Sequence, residues 1–136
     1  MGLEAIHKKG VVHADLKPSN ILLKGRDYDI TITDFGISQK LPKGTKLANQ
    51  FVGSMAYCSP EVLLGEPFNS KADIWALGCI LYELCCTMRA FEDTTEEGLR
   101  QKILSFRIPQ IPLHSLESRP SLKNIAELYQ LCMKRE

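Results

Sequence analysis

Several features are scarce in this chain, and each scarcity removes a class of protein. Net charge is almost absent: seventeen basic residues stand against sixteen acidic ones in 136. No bulk field therefore draws the chain to nucleic acid or to a membrane surface. Basic pairs at 8–9 and 40–43 read as solvated faces. The five cysteines, Cys58, Cys79, Cys85, Cys86 and Cys132, are odd in number and show no CxxC or Cys/His ligand spacing. That pattern excludes a disulfide framework or zinc site and fits reduced core thiols in the cytoplasm or nucleus. Long hydrophobic runs are missing too. The longest, 74–86, is interrupted by Glu83 and is too short to cross a bilayer. The first residues do not read as a signal peptide, and Ile6 stands where a myristoylation signal wants Ser or Thr. No internal repeat is present.

What remains is the composition of one globular domain, 44% apolar and 24% charged. A compact chain of this size buries roughly two-thirds of its unfolded surface. Residues 2–8 read as the last turns of a helix stopped by Gly10. The β-prone runs 21–23 and 30–33 flank a polar turn and predict a hairpin. Residues 37–57 have no period and predict a long loop, the kind that is usually functional. Ser70 is expected to cap a helix over 70–86, with Ile74, Leu77, Gly78, Leu81 and Leu84 on its face and Trp75 and Ile80 broadening it. A helix so apolar all round belongs in a core. Thr94 and Glu97 have capping-box spacing for a helix ending near Phe106. The stretch 107–120 holds Pro109, Pro112 and Pro120 and reads as loop. Ser121 is expected to cap a final helix over 121–134, with Leu122, Ile125, Ala126, Tyr129, Cys132 and Met133 on one face.

The chemistry is concentrated in His13-Ala14-Asp15-Leu16-Lys17-Pro18-Ser19-Asn20 and Asp34-Phe35-Gly36. Phosphoryl transfer to a hydroxyl needs few parts. A carboxylate must orient the hydroxyl and take its proton, which suits Asp15. A cation must offset charge at the transferred phosphate, which suits Lys17. Oxygen ligands must hold magnesium, which suits Asn20 and Asp34. The hairpin brings those two ligands together.

These segments resemble the catalytic loop (13–20) and magnesium-binding motif of protein kinases. Ser59-Pro60-Glu61 resembles the end of their activation segment (34–61). Asp73-Ile74-Trp75-Ala76-Leu77-Gly78 resembles their central buried helix, whose Asp braces the catalytic-loop backbone. Order and spacing match together across nearly the whole chain. Lys17-Pro18-Ser19 resembles the serine/threonine class, in which the residue at Ser54, after Gly53, contacts the catalytic Asp and Lys. Leu47-Ala48, Phe51-Val52-Gly53 and Ile108-Pro109-Gln110-Ile111-Pro112 resemble the NIMA-related (NEK) family.

The resemblance implies a mainly α fold with a small β-hairpin, the C-terminal lobe of a kinase. It also implies ATP and Mg2+ as cofactors and a protein substrate bearing Ser or Thr. Asp15 and Lys17 would be catalytic; Asn20 and Asp34 would bind metal and cofactor. His13, Phe35, Gly36, Gly53, Ser54, Pro60, Glu61 and Asp73 would shape the site. Neither nucleic acid nor membrane is an expected partner.

The pattern departs from the family in four places. Ala14 stands where the catalytic loop usually carries the Arg that clamps an activation-loop phosphate, and Gln50 where a hydroxyl is usual. Control without activation-loop phosphorylation is the expectation. No glycine-rich phosphate loop or strand lysine precedes His13, so the ATP-covering lobe is expected to be absent from this chain. The apolar face it would cover invites a partner. Arg119 reads as a loop residue, leaving Glu61 without the Arg that it usually pairs with. The competing expectation is an inactive, truncated pseudokinase that acts by binding proteins.

Overall fold

The computed structural model describes residues 2–26, 29–41, 53–105, 107–117 and 120–133. Leu47, Ala48, Gln50, Phe51, Val52, Phe106 and Arg119, named above, lie outside them, as does residue 134.

Helix α1 (Gly2–Lys8) ends at a turn through Gly10 and leads into strand β1 (Val11–Val12). A 3₁₀ turn at Pro18–Asn20 precedes β2 (Ile21–Lys24), which pairs antiparallel with β3 (Asp29–Ile32) in the register Ile21↔Ile32. This is the expected hairpin, with its second strand one residue earlier than the sequence indicated. The stretch 37–57 is not all loop. Its first part forms β4 (Gln39–Lys40), antiparallel to β1 with Val12 opposite Gln39. Gln and Lys carry no strong strand propensity, so the pairing is a tertiary effect. Leu41 N–H donates to Gly10 O at 2.6 Å and fixes it.

A 3₁₀ turn at Met55–Tyr57 and helix α2 (Pro60–Leu63) lead to α3 (Lys71–Cys86). Ser70 does not cap α3, because its own backbone is already helical. Asn69, one residue earlier, does so: its Oδ1 accepts the Lys71 N–H at 2.8 Å. At α4 (Glu96–Leu104) the shift is one residue the other way: Thr95 rather than Thr94 is the cap, with extended backbone and a hydroxyl that accepts the Gly98 N–H. The proline-containing stretch contains a short helix, α5 (Leu113–Glu117). Ser121 lies inside a 3₁₀ turn at Pro120–Leu122, so it caps nothing, and α6 (Lys123–Cys132) follows.

Helix α3 is apolar all round because three separate clusters pack on it. Trp75, Cys79, Leu81 and Tyr82 join Leu63, Phe91, Ile103, Tyr129 and Met133. Ala72 packs with Val12 and Phe68. Ala76 and Ile80 pack with Leu16. Each fully buried large apolar side chain contributes roughly 1.5–3 kcal/mol. Leu84 departs from the expectation: it is 57% exposed, on the side of α3 that none of these clusters covers. Gly78 permits the close crossing of α6, since a Cβ there would come within 3.0 Å of Cys132 Cβ. The cysteines are free, with Cys79, Cys85 and Cys132 buried. Burial pushes the Cys58 thiol up to about 12 and raises Cys79 further, so both stay protonated. Among the described residues no helix is long and apolar enough to cross a membrane.

Candidate active site

Asp73 enters in the first turn of α3 and is 1% exposed. A carboxylate that deep needs donors. It accepts the backbone N–H of His13 on Oδ2 and that of Ala14 on Oδ1, each at 2.9 Å. Ala14 is thereby held at φ 66°, a left-handed conformation that costs an L-residue roughly 1–2 kcal/mol. The bend carries Asp15 out of the core.

Asp15 is the hub of the site. Its Oδ2 accepts from Lys17 Nζ at 2.7 Å and, more weakly, from Asn20 Nδ2 at 3.4 Å. Its Oδ1 accepts the Ser54 N–H at 3.2 Å. Lys17 Nζ also donates to Ser54 Oγ at 3.1 Å, and Asn20 Nδ2 to Asp15 O at 2.8 Å. The loop at 13–20 and the segment at 53–54 are thus tied through one carboxylate. Gly53 is required twice over: its φ is 143°, and a Cβ would stand 3.0 Å from Asp15 Oδ1.

His13 is fully buried and holds the loop to the hairpin. Its Nδ1 accepts Asp15 N–H at 3.3 Å, so Nε2 carries the proton and donates to Thr33 O at 2.9 Å. Thr33 N–H in turn donates to Asn20 O at 2.9 Å. Asp34 follows directly, at φ 61°, with Oδ1 accepting Gly36 N–H at 3.4 Å. Phe35 is tilted against the His13 ring, centroids 5.0 Å apart. Strained backbone at both Ala14 and Asp34 is typical of functional loops.

A cavity of about 730 Å3 opens beside Asp15, with Ser54 and Tyr57 on its polar wall and Ala14 and Phe68 on its apolar one. Tyr57 donates to Glu83 Oε2 at 2.7 Å. Burial, then that bond, pushes its phenol up to about 12. Pro60 is buried at the start of α2, and the Glu61 side chain has no ion-pair partner among the described residues.

A family model described as the protein kinase domain matches residues 1–135. The chain belongs to the protein kinase family. This kinase chain is 38% identical over 126 residues to the serine/threonine-protein kinase Nek1 of Mus musculus, covering 92% of the chain and 10% of that protein. It is 43% identical over 129 residues to serine/threonine-protein kinase Nek8 of Danio rerio, covering 94% and 18%. It is 46% identical over 111 residues to serine/threonine-protein kinase pakE of Dictyostelium discoideum, covering 82% and 11%. The chain thus spans less than a fifth of the length of these relatives and is part of a kinase domain. The NIMA-related resemblance has its counterpart in the Nek proteins among them.

The kinase chain offers oxygen ligands for a hard cation. With its Nδ2 committed to Asp15, Asn20 keeps Oδ1 as an acceptor, and the Asp34 carboxylate is exposed. One amide and one carboxylate suit magnesium, which keeps several waters and takes few protein ligands. Among the described residues no group of three His, Cys, Asp or Glu forms a closed metal site.

One residue of this constellation escaped the sequence reading. His7, in the last turn of α1, bonds Asp73 Oδ2 through Nε2 at 2.7 Å. Its only signal was a histidine in the last turn of a short helix, which periodicity does not single out.

Proposed function

We propose that residues 1–136 form the C-terminal lobe of a NEK-like serine/threonine protein kinase domain, which in the whole protein transfers the γ-phosphate of ATP to Ser or Thr hydroxyls of proteins. The convergence of Lys17, Asn20 and Ser54 on Asp15 is the observation that carries this reading. Asp15 would accept the proton of the substrate hydroxyl. Lys17 holds Asp15 in place through one N–H and Ser54 through another, leaving a third to meet a phosphate oxygen. Asn20 and Asp34 would hold magnesium, and magnesium with ATP would supply the charge-neutralised phosphoryl group. The apolar hairpin side chains Leu23 and Ile30, 63% and 67% exposed, would meet the ATP-covering lobe or a partner in its place. A cytoplasmic or nuclear setting and independence from activation-loop phosphorylation belong to the same proposal.

The test is transfer of radiolabelled phosphate from ATP to protein substrates by the protein carrying this sequence. Incorporation on Ser and Thr, abolished in Asp34→Asn because a magnesium ligand is removed, is the expected outcome. Transfer that persists in Asp34→Asn would sink the assignment. No transfer by a folded protein that still binds other proteins would favour the pseudokinase reading.

A further inference from the structure

The cavity beside Asp15 contains a buried polar atom left without a bond. Ser59 lines it and is 1% exposed, and its Oγ has no hydrogen-bond partner among the described residues. Such an orphan is rare in a folded chain and asks for an explanation. At about 730 Å3 the cavity is large enough to enclose a small organic molecule. Neither Asn20 nor Asp34, the residues suited to magnesium, borders it. The hydrogens on its walls are largely spent. Ser38 Oγ donates to Phe35 O at 2.8 Å, Tyr57 Oη to Glu83 Oε2 at 2.7 Å and Cys58 Sγ to Ser59 O at 3.6 Å. Acceptors are left over. Among the described residues Asp15 Oδ1 takes one bond, the Ser54 N–H, where a carboxylate oxygen can take two. Both charged side chains on the walls, Asp15 and Asp73, are acids, and no Lys, Arg or His is among the described residues that line the cavity. Lys17 offsets Asp15 on its other oxygen, Oδ2. The remaining surface is apolar, with Val62, Phe68 and Ala72 packed together.

We propose that this cavity binds a small organic cation with an apolar body, an amidinium, guanidinium or alkylammonium. Its N–H groups meet Asp15 Oδ1 and Ser59 Oγ. The serine reaches the ligand by turning about χ1 to another staggered position, which breaks no bond because Oγ makes none. The apolar body lies on Val62 and Phe68, and the Phe68 ring attracts positive charge at its face. An anion meets two carboxylates there, and a neutral ligand rich in acceptors finds few free donors. A charge-assisted bond to Asp15 is the strongest single contact on offer. Binding needs neither ATP nor catalysis, so the site stands whether or not the chain transfers phosphate. One consequence does rest on the kinase reading: the cation takes the carboxylate that a substrate hydroxyl needs, and occupancy therefore inhibits transfer.

The protein carrying this sequence is titrated with benzamidine, benzamide and benzoate, three molecules of similar shape that are cationic, neutral and anionic. The readout is the 1H–15N resonances of the Ala14, Ser54 and Ser59 amides. Benzamidine moves them saturably with a Kd at or below about 1 mM. Benzamide binds at least about tenfold more weakly, and benzoate does not bind. Ser59→Ala weakens benzamidine about tenfold while Tm holds or rises, since the hydroxyl it removes has no partner in the free protein. Val62→Phe fills part of the cavity and abolishes the saturable shifts. Absence of saturation up to about 10 mM benzamidine overturns the proposal. So does equal binding of benzamide or benzoate, full affinity in Ser59→Ala, or full affinity in a folded Val62→Phe, which would put the cation elsewhere. If Val62→Phe fails to fold, Ser59→Ala and the charge series decide. In a protein that transfers phosphate, benzamidine bound at these amides without inhibition supports the site and sinks only the reading of Asp15 as the base.

Discussion

The loop at 13–20 and the helices at 96–132 meet the same central helix from different sides, and they are held by opposite means. Around the loop, beside Leu16 packed on Ala76 and Ile80, three buried groups are polar: His13, Asn20 and Asp73, each bonded to backbone. Around α4 and α6 they are apolar: Ile103, Tyr129, Cys132 and Met133, packed on Trp75, Cys79 and Tyr82. Polar bonds are directional and fix atoms to within tenths of an ångström, which a reacting carboxylate needs. Apolar packing is non-directional and supplies the bulk of the folding free energy. Helix α3 serves both, with Asp73 at its start and its aromatic residues farther along.

The comparison breaks most sharply if the two regions are weakened separately. Asp15→Asn removes the charge on which Lys17, Asn20 and Ser54 converge. Transfer falls by about 10²–10⁴-fold, while unfolding free energy changes by no more than about 1 kcal/mol, since the Lys17 pair is part-exposed. Steady-state kinetics beside urea denaturation gives both numbers. A large loss of stability instead would mean that the loop is a pillar of the fold and not a device carried on it.

Ile103→Ala is the converse. Ile103, on α4, is fully buried in the cluster that includes Trp75 and Cys79 of α3, and its truncation costs about 2–5 kcal/mol, depending on how far the cavity collapses. The expected signature is a lower denaturation midpoint with an unchanged slope. In the fraction that stays folded, the amide resonances of residues 13–15 stay in place. If they move, the apolar half is setting the geometry of the polar one.

The two regions were also unequally legible in the sequence. Asp15, Lys17, Asn20 and Ser54 could be named because a reaction demands those groups and the chain provides them at a recognised spacing. The hairpin and α3 could be placed because β-branched residues and apolar runs announce them. Other features had no local signal. Gln39 and Lys40 form a strand only because Gly10 and β1 lie beside them. Two adjacent capping residues stand before both α3 and α4, and only backbone angles choose between them: Ser70 is helical while Thr95 is extended. Leu84 fits the apolar run but faces away from all three clusters. His7 becomes meaningful only once Asp73 has been folded against it.

The smallest expected effect lies at the end of α3 farthest from Asp73. Thr87 closes the helix at φ 56°, ψ 21°, its N–H donating to Glu83 O at 2.8 Å. A β-branched residue is strained there, whereas glycine is not. Its hydroxyl offsets part of that strain by donating to Cys86 O at 2.6 Å, but the side chain is exposed and such a bond is weakened by water. Thr87→Gly therefore stabilises the chain by up to about 1 kcal/mol, a rise of a few degrees in Tm, and leaves transfer unchanged because Asp73 lies about four turns away along the helix. A fall in Tm would mean that the hydroxyl bond outweighs the backbone strain. A change in transfer would mean that the polar and apolar ends of α3 are coupled through the helix, and that the division of labour along it is less clean than its contacts indicate.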